Sequence, residues 1–281
     1  MGDVVGGPSG LDGPAGTARL DGTAGAGRLA ATGLAKPPAA VLWDLGGVFL
    51  DWDPRYLYRK LFAGDEVAME SFLANVCTPA WHFEQDLGRS VVEACSTLAA
   101  SRPEYAELVL AWGERSEEMI GGVIPGSVAL LGELRAAGVR QYALSNMEPE
   151  NWEKRRRYYE FLSWFDGWFI SGLEGVGKPD PQFFKSALER FGLAPGEAFF
   201  VDDKEANVLA AAALGIRGTV FRRAGGPAGV AGAQGSERAA GTEAAEGVAA
   251  TEGTEGADAS EVLRAQLVAL GLPVAREAPV S

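Results

Sequence analysis

The segment VLWDLGGVFLDWD, residues 41 to 53, decides the fold expected for the rest of the chain. A run of apolar residues ends directly at Asp44, glycines follow at 46 and 47, and two more aspartates come at 51 and 53. Strands of a parallel sheet are typically continuous apolar runs, and ligands bind beyond their carboxyl ends. The segment therefore predicts a first, buried strand that delivers a carboxylate to the functional edge of a parallel sheet.

Short apolar strands alternate with helical patterns along most of the chain. This alternation predicts an α/β fold, a Rossmann-like parallel sheet with helices on both faces. The predicted strands are residues 41–45, 140–145, 167–171, 198–202 and 217–221. The first two are separated by about ninety residues with helical patterns, which is too long for a simple crossover. We therefore predict an inserted helical cap domain at 53–121, with the core formed by 39–52 and 122–223.

Two segments are poor in large apolar residues and are predicted to be disordered. One is the N-terminal tail, residues 1–38, and the other is an acidic insertion rich in glycine and alanine, residues 224–258. A capped amphipathic helix at 259–272 is predicted to complete the core.

Composition excludes several classes of function. The 281 residues are 47% hydrophobic, enough to bury a full core, and the formal net charge of −13 disfavours nucleic acid as a partner. The longest apolar run, 207–216, is shorter than the about 20 residues that a bilayer requires, so no membrane partner is expected. Cys77 and Cys95 have no metal-site spacing and no signal peptide precedes them, which predicts reduced thiols and a cytoplasmic location. Monomer and homodimer both stay open.

Polar residues cluster where the predicted strands end. They are Asp44, the pair Ser145 and Asn146, the pair Asp202 and Asp203, and Lys178, to which the third strand leads through SGLEGVG. Neighbouring carboxylates repel one another and are expected to need a cation to stay ionised together. Asp44, Asp202 and Asp203 suit Mg²⁺, which prefers carboxylate, water and phosphate oxygens. The chain has one histidine, so catalysis by several histidines is excluded.

Four ordered motifs resemble those of the haloacid dehalogenase-like (HAD) hydrolases. They are DLGGV at 44–48, LSN at 144–146, GKPDP at 177–181 and FFVDDKEAN at 199–207. The opening DLGGVFLDWDPR and the long helical insertion are most similar to the sugar-phosphatase, glucose-1-phosphate phosphatase-like branch with a helical C1-type cap. The resemblance implies a Mg²⁺-dependent phosphatase that hydrolyses a small phosphorylated metabolite, such as a sugar phosphate, through an aspartyl-phosphate.

The resemblance also implies a role for each motif residue. Asp44 would be the nucleophile, and Lys178 would neutralise charge in the transition state. Ser145 and Asn146, together with Lys178, would bind phosphoryl oxygens. The metal ligands would be the Asp44 carboxylate, the backbone carbonyl of Gly46, Asp203, and Asp202 directly or through water. Asn207, four residues after Asp203, would orient that carboxylate or would be a solvent-facing polar residue.

Gly46 departs from the family pattern, because HAD phosphatases usually carry a second aspartate there as the general acid and base. Three consequences are open: a slow phosphatase or one that favours good leaving groups, a different acid from the cap or from Asp51 or Asp53, or a silent domain. A silent HAD domain would bind a phosphorylated ligand or a protein partner. A dehalogenase-type hydrolase is a further alternative, but such enzymes attack carbon without Mg²⁺, and the VDD at 201–203 favours phosphorus.

The cap is expected to choose the substrate. Trp81, His82, Glu84 and Asp86 lie close together in the sequence before a predicted helix. Such a cluster could contact a sugar, or it could be a buried tryptophan beside surface charges. His82 could also supply the acid that Gly46 lacks.

Overall fold

The strands lie where the sequence predicts them, with one additional pair. The computed structural model describes residues 36–223, 248–250 and 258–275. Within these residues the strands are β1 (Ala40–Trp43), β2 (Leu50–Trp52), β3 (Ile120–Val123), β4 (Arg140–Ser145), β5 (Gly167–Ile170), β6 (Ala198–Asp202), β7 (Arg217–Val220) and β8 (Val248–Ala250).

The helices fall into a group before β4 and a group that alternates with the later strands. The first group is α1 (Arg55–Leu61), α2 (Glu66–Asn75), α3 (Pro79–Asp86), α4 (Val91–Ser101), α5 (Ala106–Glu114) and α6 (Pro125–Ala136). The second is α7 (Pro149–Tyr158), α8 (Ser171–Glu174), α9 (Pro181–Phe191), α10 (Glu205–Ala212) and α11 (Ala259–Ala269). None of these described helices has both the length and the apolar content needed to cross a membrane.

Six strands form one parallel sheet in the order β5-β4-β1-β6-β7-β8. The chain steps outward from β1 to β4 and β5 on one side, then returns to the other side of β1 for β6, β7 and β8. Strand order therefore reverses between β1 and β6, and open parallel sheets bind ligands in the crevice at such a point. The predicted Rossmann-like α/β fold is confirmed.

Strand β1 is buried on both faces, which explains why its sequence is apolar without alternation. Val41 and Trp43 pack in one core cluster with leucines of α6 and α11. Ala40 and Leu42 point to the opposite face and pack with phenylalanines of α9. Successive side chains of a strand alternate between faces, so a central strand under two helical layers needs an apolar residue at every position.

Helices α1 to α5 occupy the range predicted for the cap and have a core of their own, built around Tyr58, Phe72 and Trp112. The chain enters and leaves this helical region through β2 and β3, which pair with each other antiparallel. The sequence had predicted no strand at 50–52 or 120–123. It also placed Trp81 to Asp86 ahead of a helix, whereas Thr78 caps α3, with its hydroxyl accepting from the Trp81 amide at 3.1 Å. This segment is therefore helical.

Most of the two segments predicted to be disordered, 1–38 and 224–258, lie outside the described residues. Within the second segment, however, residues 248–250 form β8 and pair in parallel with β7. The prediction of disorder is wrong for these three residues, because an edge position in the sheet gives a short alanine-rich strand a partner. Asp258 then caps α11 by accepting a hydrogen bond from the Ser260 amide at 3.0 Å, close to the predicted start of the last helix.

Candidate active site

Three carboxylates meet at the crevice between β1 and β6. The Asp44 amide donates to the Val201 carbonyl at 2.8 Å, so Asp44 lies beside the end of β6, where Asp202 and Asp203 follow. Each of the three side chains offers one oxygen, and these oxygens lie within 4.8 Å of one another. The pairing of the two central strands thus brings together the acidic residues that the sequence singled out.

Lys178 is the buried cation of this cluster. Its Nζ lies 2.8 Å from Asp44 Oδ1, 2.6 Å from Asp202 Oδ2 and 2.8 Å from the carbonyl of Leu144, and the residue is 2% exposed. Burial lowers the pKa of Lys178, but the carboxylates of Asp202 and Asp44 raise it by more than burial lowers it. The pKa is therefore above its ordinary value. The side chain is therefore a fixed ammonium group beside Asp44.

Asp202 holds this lysine in place, and both of its oxygens are occupied. Besides Lys178, they accept from the Lys204 amide at 2.8 Å and from the Asn207 amide group at 3.0 Å. Asn207 is buried and bonds to Asp202, so the predictions that it orients Asp203 or faces solvent are both wrong. The difference arises because the strand turns into α10 with the side chain of 202, not that of 203, directed inward. The metal role of Asp202 stays a prediction.

Asp44 and Asp203 keep oxygens that no described residue binds. Asp44 Oδ1 accepts from the Leu45 amide and from Lys178, whereas no bond is made to Oδ2 within the described residues. Asp203 Oδ1 is buried without a described partner. Burial and the neighbouring Asp202 and Asp44 raise the pKa of Asp203 to about 8, and burial also raises the pKa of Asp44. Unpaired buried carboxylate oxygens fit a hard divalent cation such as Mg²⁺.

A substitution at Gly47 tests whether the close approach of the loop after β1 to Asp203 matters for metal binding. Its φ is +71°, and an added Cβ would overlap the Asp203 carboxylate. We expect Gly47→Ala to displace Asp203 and weaken Mg²⁺ binding about 10- to 100-fold, measured by titration calorimetry. Gly138→Ala is the matched control, because Gly138 has φ +75° but open space around it. Equal metal affinity in the two variants would show that the contact with Asp203 is unimportant.

Ser145 and Asn146 lie at the end of β4, as predicted. Ser145 is buried beside the cluster. The Asn146 side chain donates to the Lys178 carbonyl and accepts from the Lys178 amide, both at 2.8 Å. This pair of hydrogen bonds fixes the backbone of Lys178. A phosphate contact by Asn146 stays a prediction and would use its second amide hydrogen.

A second titratable cluster lies where α3 meets the core. His82 Nε2 is 3.2 Å from Glu148 Oε1 and 3.7 Å from Asp86 Oδ1. Trp81, one residue earlier, packs edge-on against Trp112, and its indole nitrogen is buried without a described partner. Sequence reasoning missed Glu148. The available signal was its position three residues after Ser145, at the same strand end and immediately before a proline that starts α7.

Asp51 on β2 and Asp53 in the turn after it, a segment that we call the flap, are bound by other residues. Asp51 binds Arg223, with 2.7 Å between Oδ1 and Nη1, and accepts from the Tyr56 hydroxyl at 2.7 Å. Although burial raises the pKa of Asp51, these hydrogen bonds lower it below its ordinary value. Asp53 accepts from the Arg55 amide at 2.9 Å at the start of α1. Both residues therefore have structural partners.

Comparison with known proteins adds a family and several relatives. Residues 38–215 match the family model described as haloacid dehalogenase-like hydrolase. The sesquiterpene phosphatase astK of Aspergillus oryzae is 31% identical over 183 residues, which are 64% of this chain and 87% of that protein. The phosphoserine phosphatase of Thermus thermophilus is 30% identical over 159 residues, 53% of this chain and 62% of that protein. The region that the family model matches, residues 38–215, contains all the site residues described above.

Solved structures share the fold. A HAD family enzyme from Bacteroides thetaiotaomicron, in complex with magnesium and inorganic phosphate, is 22% identical with a TM-score of 0.50 over 65% of this chain and 93% of that chain. A dehalogenase with an intermediate complex is 18% identical with a TM-score of 0.52 over 69% of this chain and 89% of that chain. At these identities the likeness concerns the fold alone, so the chemistry must be argued from the side chains.

Proposed function

The chain belongs to the haloacid dehalogenase-like hydrolases, and on this premise we propose that it is a Mg²⁺-dependent phosphatase acting on a small phosphorylated metabolite. One observation carries the proposal. In the crevice between β1 and β6, where the strand order reverses, Asp44 and Asp203 keep unpaired oxygens beside the Lys178 ammonium. This set offers a nucleophile, a cation site and a fixed positive charge, which are the groups that phosphoryl transfer requires.

The metal would be held by the Asp44 carboxylate, the backbone carbonyl of Gly46 and Asp203. When bound, Mg²⁺ supplies positive charge that draws phosphoryl oxygens to the site and offsets the repulsion among the carboxylates. Asp202 supports the site indirectly, because its oxygens bind the Lys178 ammonium group and the Lys204 amide before α10. This assignment uses only oxygens that the fold leaves available.

The residues of the chain divide the remaining work. Asp44 attacks phosphorus and takes the phosphoryl group as an aspartyl-phosphate, which water then hydrolyses. Lys178 stabilises the negative charge that develops on the phosphoryl oxygens, and its position is fixed before the reaction by Asp202 and Asn146. Ser145, buried beside them, donates a hydrogen bond to a phosphoryl oxygen. Such preorganised donors lower the barrier without having to move during the reaction.

For the substrate we propose a sugar phosphate, with the cap providing the contacts. Helix α3 of the cap places His82 and Asp86 beside Trp52 of β2 and places Trp81 against Trp112, and aromatic faces with polar groups suit a sugar ring. Some of the relatives are named as phosphatases of sesquiterpenes, phosphoserine or glyceraldehyde 3-phosphate, so these classes belong in the same screen. The cytoplasm remains the proposed location, since Cys77 and Cys95 are both free and buried.

A screen of phosphate monoesters with Mg²⁺ and with EDTA tests the proposal. We expect turnover that EDTA abolishes and that added Mg²⁺ restores. We also expect Mg²⁺ at about 100 times its Kd to raise the free energy of unfolding by about 2.7 kcal/mol, measured by urea denaturation. Asp203→Asn should reduce this stabilisation.

Other outcomes would contradict the phosphatase. Turnover of 2-haloacids that is insensitive to EDTA would indicate a dehalogenase-type hydrolase. Binding of phosphorylated ligands without any turnover would indicate a silent domain.

A further inference from the structure

The structure leaves open space where the family's general acid would lie. An added Cβ at Gly46 would have no atom within 4 Å. The two flap aspartates do not fill this role, because Asp51 is bound by Arg223 and Tyr56, and Asp53 is bound by the amide and the guanidinium of Arg55. A phosphate ester with a poor leaving group still needs a proton on the departing oxygen. Efficient turnover of such an ester would therefore need a proton donor from another part of the site.

His82 has the arrangement of an acid–base histidine. Its Nε2 is bound to Glu148 Oε1 at 3.2 Å, and Glu148 Oε2 in turn accepts from the Asn151 amide group at 3.0 Å. The ring stacks on Trp52 with 5.2 Å between centroids and meets the edge of Trp112 at 5.0 Å. A carboxylate on one ring nitrogen fixes the tautomer and leaves the other nitrogen to exchange protons. Here that other nitrogen is Nδ1, which makes no hydrogen bond among the described residues, and the His82 side chain is 18% exposed.

The cluster lies at the functional edge of the sheet. Glu148 follows Ser145 in the loop after β4, and Trp52 ends the flap strand that begins six residues after Asp44. Helix α3 is fastened to the core here, because the Ser171 hydroxyl donates to the Asp86 carbonyl and accepts from the Met147 amide. The histidine is therefore held against the loops that carry the phosphate-binding residues.

We propose that His82 Nδ1 is the general acid and base of the hydrolysis, in place of the carboxylic acid that Gly46 removes. The inference rests on the proposed phosphatase function. In this acid–base step Glu148 and Asp86 are positioning residues, because both carboxylates lie beside the imidazole and neither transfers the proton itself. The acid–base role, which the family assigns to the loop after β1, thus belongs here to a residue of the cap.

The proton and electron pairs balance over two steps. In the first, an Asp44 oxygen forms a bond to phosphorus, the ester P–O bond breaks, and its electron pair goes to the leaving oxygen, which takes the proton from Nδ1. In the second, neutral Nδ1 takes a proton from water as the water oxygen bonds to phosphorus. The bond from phosphorus to Asp44 breaks, its electron pair returns to the carboxylate, and inorganic phosphate leaves.

The charges around His82 favour its protonated form. Burial lowers the pKa of the imidazole, but Asp86 on the same helix and Glu148 on the core loop raise it above its ordinary value, against an opposing effect of Lys204 at the start of α10. A raised pKa keeps the acid protonated to higher pH. The value of kcat/KM for poor leaving groups should therefore fall as pH rises through this pKa, and Glu148→Gln should move the fall to lower pH.

Leaving-group dependence gives the decisive test. We expect His82→Gln to lower kcat/KM for an alkyl phosphate about 10²- to 10⁴-fold, because glutamine keeps a donor for Glu148 but cannot supply the proton. For p-nitrophenyl phosphate, whose leaving group departs without protonation, the loss should be much smaller. Gly46→Asp in the His82→Gln background should restore part of the alkyl phosphate activity. Glu84→Gln is the control, since Glu84 lies on the same helix but pairs with Arg89 at the surface.

The outcomes separate the two proposals. Equal losses for both substrates, or an unshifted pH profile in Glu148→Gln, would mean that His82 only fastens the cap, and the inference would be overturned while the phosphatase stands. If the wild-type protein shows no metal-dependent turnover of any ester, the phosphatase proposal fails first and this inference falls with it.

Discussion

Replacing Asp44 by asparagine is expected to lower phosphatase turnover by at least about 10⁴-fold while the protein stays folded. The reason is that an amide oxygen is too weak a nucleophile to attack phosphorus, and no other described carboxylate has the same position at the end of β1. Asparagine keeps an oxygen that accepts from the Leu45 amide and from Lys178. The measurement is kcat on a phosphate monoester with Mg²⁺, together with a thermal unfolding curve.

A second readout ties the loss to the covalent step. Acid-quenched wild-type protein should gain the mass of one phosphoryl group during turnover, and Asp44→Asn should not. Asp51→Asn is the matched control, because Asp51 is an aspartate of the flap bound to Arg223 and Tyr56. The control should keep activity close to that of the wild type. An active Asp44→Asn variant would remove the nucleophile from the mechanism proposed above.

Lys178→Met is the substitution expected to affect both stability and rate. Lys178 is buried between Asp44 and Asp202, and methionine would leave two carboxylates facing each other without their cation. Removing one partner of a buried ion pair costs about 3–5 kcal/mol. The same change removes a preorganised charge from the transition state, which lowers kcat about 10²- to 10³-fold. Urea denaturation without Mg²⁺ and steady-state kinetics with saturating Mg²⁺ measure the two effects separately.

Lys185→Met provides the control for this prediction, since Lys185 is an exposed lysine on α9. Its change in the free energy of unfolding should stay within about 0.5 kcal/mol. The role assigned to Lys178 would be contradicted if the buried variant were as stable and as active as the exposed one. It would be contradicted in part if stability fell but kcat at saturating Mg²⁺ did not.

The two predictions concern one network. Lys178 binds Asp44 directly, while Asp202 and Asn146 hold Lys178 by its ammonium group and its backbone. Asp203 stands apart from this network, with an unpaired oxygen. The fold therefore separates the carboxylate that positions the lysine from the carboxylate left for the metal. Two adjacent aspartates with equal chemistry acquire different roles because the end of a strand directs them to different sides.

The contacts and elements that the sequence did not predict correctly have physical explanations. Asn207 was placed by helical spacing beside Asp203, but the spacing of a helix does not specify the turn that joins it to the preceding strand, and its amide reaches Asp202 instead. Residues 248–250 have too few large side chains to predict a strand, and they form one by pairing with β7 at the edge of the sheet. Glu148 acquires its role from His82, which is distant in the sequence and comes close only in the folded chain.

The sequence by itself determined the parallel α/β fold, the inserted helices, the strand ends at which Asp44, Ser145, Asp202 and Asp203 lie, and the loop that carries Lys178. These features are local, because an apolar run and the polar residue that ends it depend only on neighbouring positions. Only the tertiary structure decided which oxygens stay unpaired and which side chain holds which. It also placed His82 between Glu148 and Trp52. Such contacts join residues far apart in the chain, and their partners are fixed by packing between elements, which no local pattern encodes.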